Sequence, residues 1–283
     1  MEMPICQMIK KVVPPIIKEF VKYMRRDKYL YYFGEFASFT EAEEKCLRGG
    51  YTAPNIIDQV DSATQKVRKG EALYEQDGIC FYEVNNNYEL LAALLYVRGC
   101  LERFSVLDFG GALGSTFFRY RKLLQELEAT WCVVEQKHYI DRGREKVPEI
   151  PFYYTMDEAL ASPDCPNVLL LSGVLQYLDE PYRWFADMLA KGFDYIILDE
   201  TAFNTDEAAK NKVMLQHVPA SIYKAIYPVN LLGQDELKTF VLRSGYEIVW
   251  EWVYRDGQIP IKTGFGFEDT VDKGLLLKKK ARG

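Results

Sequence analysis

A chain of 283 residues, 48% hydrophobic and 27% charged, has an ordinary globular composition. It is long enough for one large α/β domain with an appended segment, or for two small domains. A net charge of −6 without a basic domain argues against a nucleic-acid partner gripped through its phosphates. The apolar runs, such as Leu90–Val97, fall far short of the ~20 residues a membrane span needs, and Lys10, Lys11, Pro14 and Pro15 make the first apolar stretch unlike a signal peptide.

Six scattered cysteines without a Cys-x-x-Cys, and only two histidines, His138 and His217, offer no metal framework. They suit free thiols in a reducing, cytoplasmic compartment. In chain order, residues 1–30 form a basic amphipathic helix candidate, with Ile16, Ile17, Phe20, Val21 and Met24 on one stripe. Such a helix either docks on a protein core or rests on an anionic membrane surface. Further helices are expected over Phe39–Arg48, Asn55–Lys69 and, after the Asn85-Asn-Asn87 cap, Tyr88–Leu101. Tyr74-Glu-Gln-Asp-Gly is a turn, and Tyr74, Asp77 and Tyr82 are polar or aromatic residues beside it. Residues 1–102 are therefore read as an N-terminal helical segment that caps the rest of the chain.

Phe104 to Glu135 is the organising stretch: strand Ser105–Phe109, a glycine turn, a helix from Ser115 to about Gln125, and strand Thr130–Val134 with Glu135 at its tip. The separation of Glu135 from Gly114, 135 − 114 = 21 residues, matches the ~20 at which an acid meets the ribose of a nucleotide cofactor. Gly110, Gly111 and Gly114 let the backbone turn and a ligand approach. Ala112 takes the place of the second glycine of Gly-x-Gly-x-x-Gly, and Asp108 precedes the first. A carboxylate there repels a pyrophosphate but suits a cofactor with no phosphate and a cationic head. S-adenosyl-L-methionine fits, with S-adenosyl-L-homocysteine as its product. Other nucleotides, or a plain tight turn with Asp108 and Glu135 solvated, are the competing readings.

The alternation continues. A helix over His138–Glu145 precedes strand Pro151–Tyr154, and a helix opens at Thr155-Met-Asp157. Strand Asn167–Leu171 ends in Ser172-Gly173, and a helix from Pro181 to Ala190 leads to strand Tyr195–Leu198, which ends in Asp199-Glu200. This pattern predicts a doubly wound parallel sheet whose ligand site lies near Gly110, Glu135, Asp157, Ser172 and Asp199. Residues 201–233 break the rhythm and are expected to form a substrate lid. A helix over Asp235–Ser244 and strands Tyr246–Tyr254 and Gly274–Lys279 complete the chain, the strands joined by the glycine-rich stretch Asp256–Asp272. Ser172-Gly173-Val174 lacks the first glycine of a hydrolase nucleophile elbow.

Leu107-Asp-Phe-Gly-Gly-Ala-Leu-Gly114, Trp131-x-Val-Val-Glu-Gln136, Leu169-x-x-Ser-Gly-Val-Leu-Gln-Tyr-Leu178 with Pro181-Tyr182, and Ile197-Leu-Asp199 together resemble the class I methyltransferases of bacterial surface-polysaccharide gene clusters. Gly70-x-x-x-Tyr-Glu-x-Asp-Gly78 fits the same pattern. The resemblance implies a Rossmann-like, mostly parallel seven-stranded sheet with an antiparallel last hairpin over residues 103–283. It also implies that Asp108 and Gly110 face the methionine moiety, Glu135 the ribose and the Asp157 region the adenine. Its acceptor would be a sugar or sugar nucleotide of surface or capsular polysaccharide synthesis, methylated on oxygen. One departure stands out: Glu200 and Ala202 occupy positions where the family pattern has arginine and proline. A cation replaced by an anion there changes which acceptor is welcome.

Transfer to a hydroxyl needs alignment and a base. His217, in the expected lid, is the candidate base, with Asp199 and Glu200 as alternatives and Tyr223 and Tyr227 to position a sugar ring. A nucleotide-dependent oxidoreductase, or a catalytically degenerate methyltransferase fold serving as a partner subunit, are the alternatives. Oligomeric state is left open.

Overall fold

The computed structural model describes residues 29–46, 54–84, 87–254, 258–264 and 266–281. The helix expected over residues 1–30 lies almost wholly outside them. The first described elements are β1 (Tyr31–Phe36), α1 (Phe39–Glu43), α2 (Pro54–Arg68), the hairpin β2 (Tyr74–Gln76) and β3 (Ile79–Phe81), and α3 (Tyr88–Cys100). The expected turn at Tyr74 is therefore a hairpin. Asp77 and Gly78 sit at its tip with φ of 52° and 73°, the positive angles that favour Asp-Gly in a two-residue connection. Asn87 caps α3 by accepting the Leu90 N–H at 2.9 Å.

Then come β4 (Ser105–Phe109), α4 (Ser115–Glu126), β5 (Thr130–Val134), α5 (Lys137–Lys146), β6 (Phe152–Tyr153), α6 (Met156–Leu160), β7 (Val168–Ser172), a 3-10 turn (Leu175–Tyr177), α7 (Pro181–Ala190) and β8 (Tyr195–Phe203). The chain closes with β9 (Lys212–Val218), β10 (Ala225–Leu231), α8 (Gln234–Arg243), β11 (Tyr246–Val253), β12 (Ile261–Lys262), β13 (Phe267–Glu268) and β14 (Val271–Lys279).

The main sheet has seven strands in the order β11-β14-β8-β7-β4-β5-β6. Strands β4 to β8 pair parallel, while β14 runs antiparallel to both β8 and β11. This is the order and sense of a class I methyltransferase sheet, as the resemblance implied. Its central strands read as unbroken apolar runs because helices cover both faces. Val106, Leu107, Leu169, Leu170, Ile196 and Ile197 have no exposed surface. The strand order reverses direction at β4 and β7, which start parallel crossovers to opposite sides. That switch point opens a crevice at their carboxyl ends.

Two expectations change. The presumed lid over residues 201–233 is β-structure: β9 and β10 pair antiparallel along their length. The N-terminal segment is not helical throughout, because β1 pairs with β9 and β12 to complete a second sheet, β10-β9-β1-β12-β13. Segments near residues 31, 215 and 261 thus meet only in three dimensions. Asn230 fastens this sheet to the first by donating to the carbonyls of Gln176 and Leu178 at 3.2 and 2.8 Å. No helix among the described residues is long and apolar enough to cross a membrane.

A candidate active site at the strand tips

Between the two sheets lies a cavity of about 1500 Å³ at the carboxyl ends of β4, β5, β7 and β8. One end is built by the turn after β4. Gly110 has φ 76°, and a Cβ on it would lie 2.6 Å from Val174. Gly111 has ordinary φ, but a Cβ there would stand 2.5 Å from the Asp108 carboxyl carbon. The glycine turn therefore folds back over an acid, and only a residue without a side chain fits between. Gly114, at φ 90°, is the N-cap of α4.

Asp108 is 1% exposed, and its Oδ2 has no hydrogen-bond partner among the described residues. Burial first, and then the charges of Glu135 and Asp199, push its carboxyl up to about 7 against the opposing pull of the Trp131 indole N–H. Glu135 stands at the tip of the neighbouring strand, also raised to about 7 by burial, and accepts from the Gln136 N–H. Tyr154, Thr155, Met156 and Asp157 extend this wall. The Asp157 carboxylate is paired with Lys191 at 2.5 Å, and both residues line this end of the cavity.

Asp199 is the hub of the floor. It has no exposed surface, and three side chains donate to it: Ser172 at 2.9 Å, Asn87 at 3.1 Å and the Tyr254 hydroxyl. The same hydroxyl lies 3.0 Å from Asn87 Oδ1. Burial raises the Asp199 pKa, yet a carboxylate held by three donors is anchored. It ties the main sheet to the N-terminal cap and is poorly suited to shuttle protons. Ser172 accordingly belongs to this anchor at the edge of the cavity. Neither Asn87, read only as a helix cap, nor Tyr254, read only as a strand end, announces this role in the sequence.

The other end of the cavity is aromatic and acidic. The Tyr177 hydroxyl donates to Gln216 Oε1 at 2.8 Å, and Gln216 Nε2 donates to the Tyr227 hydroxyl at 3.2 Å. The Tyr223 and Tyr227 hydroxyls lie 3.3 Å apart. Both tyrosines named from the sequence thus line the same lobe. Glu200 lines it too, for a reason no spacing rule reveals. Leu198 pairs with Leu275 and Thr201 with Lys273, so Asp199 and Glu200 oppose Gly274 alone. This is a β-bulge, with Glu200 at φ 45°, a conformation unfavourable for a residue with a side chain and typical of bulges that re-aim side chains at sites. Burial first, then Asp199 and Asp77, push Glu200 up to about 8. Glu75, 3% exposed, is raised to about 7 by burial while accepting from Ser115 and the Gly78 N–H.

His217 is the correction. Along β9, Gln216 and Val218 line the cavity. His217 instead stacks on Tyr31 with ring centroids 4.6 Å apart, and its Nδ1 lies 3.0 Å from the Tyr29 carbonyl. Once the supposed lid becomes a strand, alternation sends residue 217 to the face opposite residue 216. The expectation of a histidine base is withdrawn on that geometry. His138 stands on α5 outside the cavity lining. No cluster of His, Cys, Asp and Glu among the described residues has metal-site geometry, and Cys46, Cys80, Cys100, Cys132 and Cys165 are free thiols.

No family model matches the sequence, and no curated protein matches it. Solved structures do. The N-terminal domain of EvdMO1, crystallised in the presence of SAH and D-fucose, is 13% identical over 77% of this chain and 97% of its own, at a TM-score of 0.47. The glycopeptide N-methyltransferase MtfA, complexed with S-adenosyl-L-methionine, is 14% identical over 66% of this chain and 92% of its own, at 0.44. The CcbJ methyltransferase from Streptomyces caelestis is 15% identical over 67% of this chain and 88% of its own, at 0.41.

Proposed function

We propose that the chain is an S-adenosylmethionine-dependent methyltransferase whose acceptor is a sugar of surface or capsular polysaccharide synthesis. The observation that carries the cofactor is Asp108: a buried carboxylate oxygen without a partner, beneath a glycine that leaves no room for a Cβ. Buried acids are expensive unless paired, and a cationic ligand supplies the missing partner. A pyrophosphate would add negative charge beside Asp108 and Glu135, which disfavours a dinucleotide. When bound, the cofactor offers an electrophilic methyl group on a sulfonium.

The chain's own residues then divide the work. Asp108 holds the cationic methionine end, and Gly110 lets it approach. Glu135 accepts hydrogen bonds from the ribose hydroxyls, and Tyr154 to Asp157 wall the adenine. Tyr177, Gln216, Tyr223 and Tyr227 present rings and hydroxyls to the acceptor, a lining suited to a sugar. Glu200, not His217, is the proton acceptor: it lines the acceptor lobe, and its pKa of about 8 suits a base working near neutrality. The assignment to glycan synthesis and to an oxygen acceptor draws on the sequence resemblance.

The test is a turnover assay with S-adenosylmethionine and a panel of hexoses, amino hexoses and nucleotide sugars, reading S-adenosylhomocysteine by mass spectrometry. We expect product with at least one acceptor. We also expect a loss of about a hundredfold or more in Glu200→Gln, with the affinity for S-adenosylhomocysteine kept. Binding of NAD+ together with no binding of S-adenosylhomocysteine would overturn the proposal in favour of an oxidoreductase.

A further inference from the structure

We infer that the acceptor molecule carries, besides the hydroxyl that takes the methyl group, a protonated amino group, as in an amino sugar, and is not a diphosphate-linked sugar. This rests on the methyl-transfer reading of the same cavity. Three carboxylates enter the acceptor lobe from separate parts of the fold: Asp77 from the β2–β3 tip, Glu200 from the β8 bulge and Asp272 from β14. Asp77, Asp199 and Asp272 each act electrostatically on Glu200, so the acids form one field rather than a solvated face. Glu75 and Asp199 lie on the same walls.

The cations on the described cavity lining are Arg119 and Lys191. Lys191 is spent on Asp157 at the cofactor end. Arg119 lies over the Tyr74 ring at 4.3 Å and offsets part of the field at Asp199 and Glu200. One arginine among five acids does not make a diphosphate site, which calls for several donors and cations.

Hydrogen-bond accounting points the same way. The tyrosine hydroxyls and Gln216 largely satisfy one another. What the lobe has in surplus is acceptors. No hydrogen bond among the described residues enters the causes that set the carboxyls of Asp77, Glu200 and Asp272. Gln176, 4% exposed, spends its Nε2 on the Glu200 carbonyl at 3.0 Å, and its Oε1 has no partner. An ammonium group brings three N–H donors and a positive charge, and tyrosine rings beside it add attraction to their faces. A neutral sugar supplies donors but leaves the charge unbalanced; a nucleotide sugar adds to it.

The inference has a proton signature. Burial raises Asp77, brings Asp272 to about 6 and, with the neighbouring acids, brings Glu200 to about 8. A bound cation lowers all three, so amine binding near pH 7 releases protons to the buffer. Glu75, Asp199, Arg119, Tyr177, Tyr223 and Tyr227 also face these groups.

The experiment is calorimetric titration of the protein saturated with S-adenosylhomocysteine, in two buffers of different ionisation enthalpy. The probes are D-glucosamine, D-galactosamine, D-glucose, D-galactose and UDP-glucose. The expected result is at least one amino sugar bound about tenfold or more tighter than its parent hexose, with net proton release and no measurable UDP-glucose binding. Glu200→Gln and Asp272→Asn each abolish that preference and leave S-adenosylhomocysteine binding unchanged. Equal affinity for hexose and amino sugar, binding of UDP-glucose, or binding of none of the five overturns the inference while leaving the methyltransferase reading in place. Failure of the wild type to bind S-adenosylhomocysteine overturns both.

Discussion

Replacing Asp108 by Asn tests the cofactor pocket by way of stability. The amide keeps the shape of the side chain and removes its charge. Burial holds the wild-type carboxyl at about 7 in the folded protein, against an ordinary value near 4 in the unfolded chain. A carboxyl raised on folding contributes stability that is present below about pH 4 and is lost as pH climbs towards 7. Between pH 5 and pH 8 this linkage costs the wild type roughly 2–3 kcal/mol that Asp108→Asn does not lose. The advantage of the variant should grow by that amount across the interval, about 5–10 °C in Tm for a chain of this size. Urea melts of both proteins at pH 5 and pH 8 read it directly. At pH 8 the same variant should bind S-adenosylhomocysteine about tenfold to a hundredfold more weakly, because a charge-assisted contact is gone. A stability difference that stays flat with pH, or that shrinks as pH rises, would refute the claim that burial holds the Asp108 carboxyl above its ordinary range.

Gly111→Ala drives a Cβ to 2.5 Å from the Asp108 carboxyl carbon; it should cost about 1–3 kcal/mol in thermal melts and weaken S-adenosylhomocysteine in titration. Tyr254→Phe removes the hydroxyl that donates to Asp199 and lies against Asn87. A loss of about 1–3 kcal/mol is expected by urea melting, and unchanged stability would mean that the hub holds nothing together. His217→Ala should leave the pH profile of turnover unaltered, since its ring packs on Tyr31 away from the cavity; a lost acidic limb would restore it as the base.

Much of the main sheet is legible in the sequence because buried parallel strands are short apolar runs with sharp ends. Ser105–Phe109 and Thr130–Val134 fall where the pattern places them. Asp108, Gly110 and Glu135 are legible for a related reason: the turn, the helix and the next strand lie in one continuous stretch. The second sheet is not, because its strands come from three distant segments, and the pairing of Tyr32 with Gln216 and Ile261 is a product of tertiary contact. The error at His217 stems from that sheet, since a residue's facing within a strand is fixed only once the strand is recognised. Glu200 was visible as an anomaly of charge, but its aim depends on a bulge. Asp77 sat in plain view in an Asp-Gly turn, and only the fold brings that turn to Glu200 and Asp272.

The central claim is that this cavity holds S-adenosylmethionine through Asp108 and Glu135. Calorimetric titration of the wild type and Glu135→Gln with S-adenosylhomocysteine, alongside NAD+, tests it most directly. The expected result is saturable one-site binding of S-adenosylhomocysteine to the wild type, weakened about tenfold in Glu135→Gln as the ribose loses a charged acceptor, and no binding of NAD+. An absence of S-adenosylhomocysteine binding, or equal affinity in the two proteins, would contradict it.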